Sequence, residues 1–142
     1  MATGMRILAI DPGEKRIGLA ISDPSGTIAN PLVIIHHISR SVDAAVIAKT
    51  AQDQGAELIV VGQALDEENQ PTFQSRKANR LATAIRQQTR IPVVLWDETN
   101  STKIAGVARR EMGVTRAKRR EQRDDLAATV ILQTYLDAHH KE

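Results

Sequence analysis

The chain predicts an α/β fold, a five-stranded mixed sheet with three antiparallel strands followed by two parallel ones and helices on both faces. Three observations carry that expectation: a β-rich opening broken by two Pro-Gly type turns, later short apolar runs alternating with helical periods, and a core supply of Val, Ile, Leu and Ala. The 142 residues contain a single Phe, a single Trp and a single Tyr (Phe73, Trp96 and Tyr135). That length suits one domain, residues 1–142, and is too short for two well-formed lobes.

The elements follow in order. Met5 to Ile10 is apolar and rich in Ile and Leu, breaks at Asp11-Pro12-Gly13, and resumes as Arg16 to Ser22. A second turn at Asp23-Pro24-Ser25-Gly26 leads to a third apolar run ending near Ile35, which makes a three-strand meander. Ser41 to Gln54 reads as a helix, with Val42, Ala45 and Val46 on one face and Gly55 as its stop. Leu58 to Val61 reads as a strand buried on both faces and ended by Gly62. After a polar loop from Gln63 to Pro71, a helix is expected to about Gln88, then a second parallel strand from Pro92 to Trp96. Helices over Ser101 to Met112 and Arg119 to Ala138, joined by a basic loop from Gly113 to Lys118, close the chain. The order βββαβαβ followed by helices is the RNase H-like arrangement.

Composition excludes several chemistries. Without cysteine there is no disulfide, thiolate metal site or Cys nucleophile. The scarcity of rings argues against a surface that binds nucleic acid by stacking many bases, leaving backbone contacts as the expected mode. No apolar run is long enough to span a membrane, and the first residues run straight into a strand pattern without a signal peptide, so the expected location is cytoplasmic. The formal charge is only +2, yet Arg109, Arg110, Arg116, Lys118, Arg119, Arg120 and Arg123 cluster in one stretch. Such a stripe fits a phosphate backbone and equally fits a solvated helix surface.

In sheets of this type sites form beyond the strand ends. Asp11 ends the first strand ahead of a bend, which leaves its carboxylate at the sheet edge; a turn-forming Asp is the alternative. Asp97 and Glu98 end the last strand, where alternation lets only one of them face the way Asp11 faces. Glu98 has the longer reach, with Asp97 as the competitor or as a helix cap. Asp124 shares a helix face with Ala127, Ala128, Ile131 and Tyr135, and a carboxylate on that apolar face needs a metal, a cation or a capping role. Asp125 is turned about 100° away toward solvent. Three carboxylates without His or Cys make a hard-oxygen site suited to Mg²⁺ or Mn²⁺, and phosphodiester hydrolysis is the chemistry such ions support. The four histidines, His36, His37, His139 and His140, read as surface residues far from the acidic positions. Glu67 and Glu68 read as a solvated loop.

The segments DPGEKRIGLAISD, ELIVVG, IPVVLWDETNST and DDLAATVILQTYLD resemble the YqgF (RuvX) family of candidate pre-16S rRNA nucleases, which is RNase H-like and related to RuvC-type Holliday junction resolvases. The resemblance covers nearly the whole chain. It implies that Asp11, Glu98 and Asp124 are the catalytic and metal-holding acids; Asp97 and Asp125, next to them in sequence, are further candidate ligands by position alone. It also implies that Lys15 and Arg16 approach the scissile phosphate, and that Arg116, Lys118, Arg119, Arg120 and Arg123 hold flanking nucleic acid. The expected substrate is structured RNA, the 16S rRNA precursor, with branched DNA as the rival; the assembly is a monomer or a homodimer. Three departures stand out: Gly62-Gln63-Ala64 replaces the family's Gly-Leu-Pro, Thr99 replaces an Arg, and Asp125 replaces a Lys. Two cations expected beside the site are therefore absent, which leaves a non-catalytic nucleic-acid-binding module as a second alternative. A sugar or acetate kinase, suggested by Asp11-Pro12-Gly13 before a hairpin, is opposed by the length, since those enzymes close two such lobes on a nucleotide.

Overall fold

The structure is a computed structural model that describes residues 5–98 and 116–139, with side chains described to residue 98 and from 126 onward. The elements are β1 (Ile7–Pro12), β2 (Arg16–Ser22), β3 (Ala29–His36), α1 (Arg40–Asp53), β4 (Leu58–Gln63), α2 (Phe73–Arg86), β5 (Val93–Asp97) and α3 (Arg116–His139). The sheet runs β3-β2-β1-β4-β5. β1 is central, pairing antiparallel with β2 and parallel with β4, and β4 pairs parallel with β5.

The centre of the sheet is apolar because it is covered on both sides. Leu8, Ala9, Ile10, Ile59, Val60 and Val61 are all fully buried. Alternation sends Leu8, Ile10, Ile59 and Val61 to one face, where they pack with Ile47 and Ala51 of α1 and Ala78, Leu81 and Ile85 of α2. Ile7, Ala9, Ala20 and Val60 go to the other face, under Ala128, Ile131, Leu132 and Leu136 of α3. Each large side chain so buried contributes roughly 1.5–3 kcal/mol. α1 begins at an N-cap, Ser39, whose hydroxyl accepts from the Val42 N–H, and is followed by Gly55 at a φ of 70°. α2 begins at a capping box between Thr72 and Ser75. The Gln133 side chain ties α3 to the start of β3, accepting from the Ala29 N–H and donating to the Thr27 carbonyl.

The sequence-based expectation for the sheet holds in strand order and direction, and several boundaries move. β1 continues through Asp11 and Pro12, opposite Gly18 and Ile17 of β2. Pro12 is tolerated because β4 pairs with β1 only as far as Ile10, so no partner on that side needs its missing N–H. The reversal falls at Gly13, where a Cβ would sit 2.2 Å from the Arg16 carbonyl oxygen. β4 does not stop at Gly62 but runs to Gln63. α3 starts at Arg116, so Arg116 to Lys118 are helical instead of part of a loop. The expected helix over Ser101 to Met112 lies outside the described residues. Among the described residues no helix is long and apolar enough to cross a membrane.

Candidate active site

Strand register brings three positions into one row at the carboxyl ends of β1, β4 and β5. Ile10 lies opposite Val61 and Val61 opposite Leu95, so the next row is Asp11, Gly62 and Trp96. Two residues earlier the same parity gives Ala9, Val60 and Val94, which face α3. Asp11 therefore projects on the α3 side of the sheet, half-buried. The chain leaves β5 through a hydrogen bond from the Glu98 N–H to the Gln63 carbonyl, which carries the parallel ladder one residue past the strand. Alternation then puts Glu98 on the face of Asp11 and Asp97 on the other.

Gly62 explains how Glu98 reaches inward. A Cβ at Gly62 would lie 2.7 Å from Glu98 Oε2 and 2.7 Å from Ile131 Cδ1 of α3. The carboxylate thus occupies the space that any side chain at position 62 would fill. Its Oε2 is buried and has no hydrogen-bond partner among the described residues. Burial first, and the neighbouring negative charge of Asp11 second, push the Glu98 carboxyl up to about 7; a hydrogen bond from the Gln74 side chain opposes this, and Asp97 adds a little to it. An acid in that state is starved of positive charge.

That deficit is the test of fit for a divalent cation. Two carboxylates at the ends of β1 and β5, on either side of Gly62 of β4 and one with an orphaned buried oxygen, form a hard-oxygen donor set that a Mg²⁺ or Mn²⁺ ion would complete. Among the described residues no group of three or more His, Asp or Glu stands together to hold an ion. Asp11 and Glu98 supply two of the three acids that the sequence nominates. Asp124 lies in α3, two turns before Ile131, and its side chain is outside those described.

A family model described as Holliday junction resolvase matches residues 5–138. The chain belongs to the RuvX family. A RuvX relative from Syntrophus aciditrophicus, provisionally named pre-16S rRNA nuclease, is 41% identical over 138 residues, covering 97% of this chain and 92% of its own. One of the same name from Clostridium novyi is 34% identical over 134 residues, covering 94% and 99%. Among solved structures, T. thermophilus RuvC in complex with a Holliday junction substrate superposes with a TM-score of 0.59 at 17% identity, covering 94% of each chain. That likeness shows that this RuvX chain has the RNase H-like fold of RuvC.

The other nominated positions of this RuvX chain divide sharply. Lys15 and Arg16 are exposed at the β1–β2 turn, just past Gly13, and Arg16 opens β2 opposite His36. Arg116, Lys118, Arg119, Arg120, Arg123 and Asp125 share the first half of α3, with side chains outside those described. Thr99 also lies outside. Glu67 and Glu68 sit in an exposed turn organised by Asp66, whose carboxylate accepts from the Glu68 and Gln70 N–H groups. His37 is exposed, as expected; it lines a hollow that also touches Pro12 and Gly13, and its Nδ1 meets the buried carboxylate of Asp43 at 2.5 Å. The hydrogen bond from the His37 N–H to the Lys15 carbonyl carries the end of β3 alongside the first turn. Gln74 was missed altogether. Its only signal was position, two residues past the N-cap Thr72 of a helix that starts beyond the end of β4.

Proposed function

We propose that this chain is a single-domain, metal-dependent nuclease that hydrolyses phosphodiester bonds of structured RNA, with precursor 16S rRNA as the substrate. The observation that carries the reading is the buried Glu98 oxygen without a partner among the described residues, set over Gly62 and beside Asp11. Family membership and the names of the relatives supply the substrate class.

In this reading Asp11, Glu98 and Asp124 hold Mg²⁺ or Mn²⁺, with Asp97 and Asp125 near enough in sequence to assist. The bound ions supply the Lewis acidity for phosphodiester hydrolysis. The chain does the rest. Glu98 would hold an ion as the carboxylate; its raised affinity for a proton comes from burial and the neighbouring negative charge, which a bound cation would relieve. The Gln74 amide steadies the Glu98 carboxylate, and Ile131 with Gly62 fixes how deep it sits. Lys15 and Arg16 meet the phosphate at the β1–β2 turn, while the basic half of α3 holds the flanking backbone. The substrate is met from water, in the cytoplasm, by a monomer or homodimer.

A branched DNA substrate is the second reading, favoured by the description of the matching family model. One experiment separates them. The protein is incubated with Mn²⁺ and labelled precursor rRNA, a Holliday junction or plain duplex, beside Asp11→Asn and Asp124→Asn. Cleavage of the rRNA that both substitutions abolish is the expected result; junction cleavage alone moves the substrate to DNA. Cleavage that survives both substitutions overturns the carboxylate mechanism, and binding without cleavage by the wild type leaves a binding module.

A further inference from the structure

On the side of the sheet opposite α3, a hollow of about 460 Å³ opens directly behind Pro12 and Gly13 and is walled by Phe73, Lys77 and Arg80 of α2 and Arg40 of α1. A second hollow of about 610 Å³ shares Arg40 and Arg80 with the first and continues along α2 past Arg76 to Gln87. The two make one groove that starts at the strand end bearing Asp11 and follows α2. Four cations border it, and none of Arg40, Arg76, Lys77 and Arg80 has a hydrogen-bonding or ion-pair partner for its side chain among the described residues. The acidic side chains in the groove do not answer them. Asp43 is committed to His37 and to the Ile38 N–H, which leaves Glu14 as the other carboxylate in the lining.

Phe73 tells what kind of polyanion fits. It is the chain's single Phe, it sits at the first position of α2, and 67% of it is exposed. An apolar ring in water at the mouth of a cationic groove suits a molecule that alternates phosphates with flat apolar faces, and in a duplex those faces are already stacked on one another. We propose that this groove holds an unpaired strand of nucleic acid, with phosphates on Arg40, Arg76, Lys77 and Arg80 and one base stacked on Phe73, as the strand leads to or from the phosphate at Asp11. The inference builds on the nuclease reading and adds to it a requirement for a single-stranded flank. It also places a nucleic-acid contact far along the chain from the basic stretch of Arg109 to Arg123.

The test measures binding without catalysis. A labelled oligouridine of about ten nucleotides, spanning a site of the size usual for single-strand grooves, is titrated by fluorescence anisotropy in the absence of divalent cations, across a range of salt. Wild type is compared with Phe73→Ala, Phe73→Trp and the double substitution Arg76→Ala with Arg80→Ala. All these positions are exposed, and thermal melts confirm that the variants fold.

The double variant is expected to bind more weakly and to lower the logarithmic salt slope by about 1.4, two phosphates at about 0.7 each. Phe73→Ala is expected to bind roughly ten-fold more weakly, within the range for loss of one stacked base. Phe73→Trp retains affinity, and its added fluorescence is quenched on binding. Affinity and salt slope that match wild type in both alanine variants overturn the groove, as does a wild type that binds a duplex more tightly than the single strand. Failure of the nuclease reading looks different: these residues then govern oligouridine binding while Mn²⁺ yields no cleavage of any substrate.

Discussion

The two faces of the sheet are built on different plans. Under α1 and α2 the strands present Leu8, Ile10, Ile17, Leu19, Ile59 and Val61, a continuous layer of large side chains. Under α3 they present Ala9, Ala20 and Val60 beside Ile7, and the row that follows carries Asp11 and Gly62. Small residues let α3 lie close to the sheet, close enough for Ile131 to crowd Gly62. The large-residue face gives its strands to burial under α1 and α2. The small-residue face accepts less burial and gains a pocket in which the Glu98 carboxylate sits with one oxygen unpaired among the described residues, so most of the burial and the candidate acids fall on opposite sides of the same strands.

The sharpest way to break that comparison is to damage the first face and ask whether the second notices. Ile47 of α1 is fully buried among the large side chains. Ile47→Ala should cost about 2–5 kcal/mol, the lost transfer energy plus the cavity left behind. Denaturant unfolding measures the loss, and cleavage by the remaining folded protein should be unchanged. A cleavage defect larger than the folded fraction explains would show that the two faces are coupled.

Glu98 provides the converse test. Its carboxyl binds a proton up to about 7 in the fold against an ordinary value of 4.5. The fold therefore holds that proton more tightly than the unfolded chain does. This contribution is fully present below the ordinary value and is lost as the pH rises through the folded one, about 3 kcal/mol in all. Melts of the metal-free protein should fall in midpoint from pH 5 to pH 8, and Glu98→Gln should flatten that decline. Mn²⁺ at pH 8 should raise the wild-type midpoint by binding the folded state, by about 2.7 kcal/mol at a hundred times its dissociation constant. The Gln variant should gain less. A wild type whose melt ignores both pH and Mn²⁺ would remove the charge deficit on which the site rests.

Much of this was legible in the sequence, for physical reasons. Periodicity and turn residues exposed the strand order, since an uninterrupted run such as Leu58 to Val61 belongs to a strand buried on both faces. Asp11 and Glu98 were legible as strand-end acids, and alternation then favours Glu98 over Asp97 once the register is known. What stayed hidden depends on distance across the fold. Gly62 looks like a strand terminator when read locally, and only the arrival of Glu98 and Ile131 from remote parts of the chain shows that it keeps a space open. Gln74, Phe73 and the cations of α2 give no local signal of a site, since charges on a helix usually mark a solvated face. Nothing local places that face beside Pro12 and Gly13.

Gly62→Ala sharpens the comparison from the inside. The added methyl meets both Glu98 Oε2 and Ile131 Cδ1 at 2.7 Å, so something must shift. Overpacking of this kind costs about 1–3 kcal/mol. Because the displaced group is the Glu98 carboxylate, cleavage should fall by more than the stability loss predicts, and the pH dependence of the melt should weaken. An alanine variant that cleaves like wild type would mean that Glu98 need not sit over position 62.

The smallest effect is expected at Trp96, where the small-residue face is fastened to α3. Its indole N–H donates to Thr134 Oγ1 at 3.1 Å, and its ring meets Tyr135 edge-on with centroids 5.2 Å apart. Trp96→Phe removes the donor and keeps a ring. Thr134 retains its hydrogen bond to the Ile131 carbonyl, so no buried hydroxyl is stranded. The expected loss is about 1 kcal/mol, read as a small drop in Tm. Trp96 occupies the same row as Asp11 and Gly62, so the variant also asks whether that row is rigid. If α3 is held mainly by Ile131, Leu132 and Leu136, the pH dependence contributed by Glu98 survives unchanged. If it flattens with the loss of one hydrogen bond, the seating of α3 at Trp96 controls how deeply the carboxylate is buried.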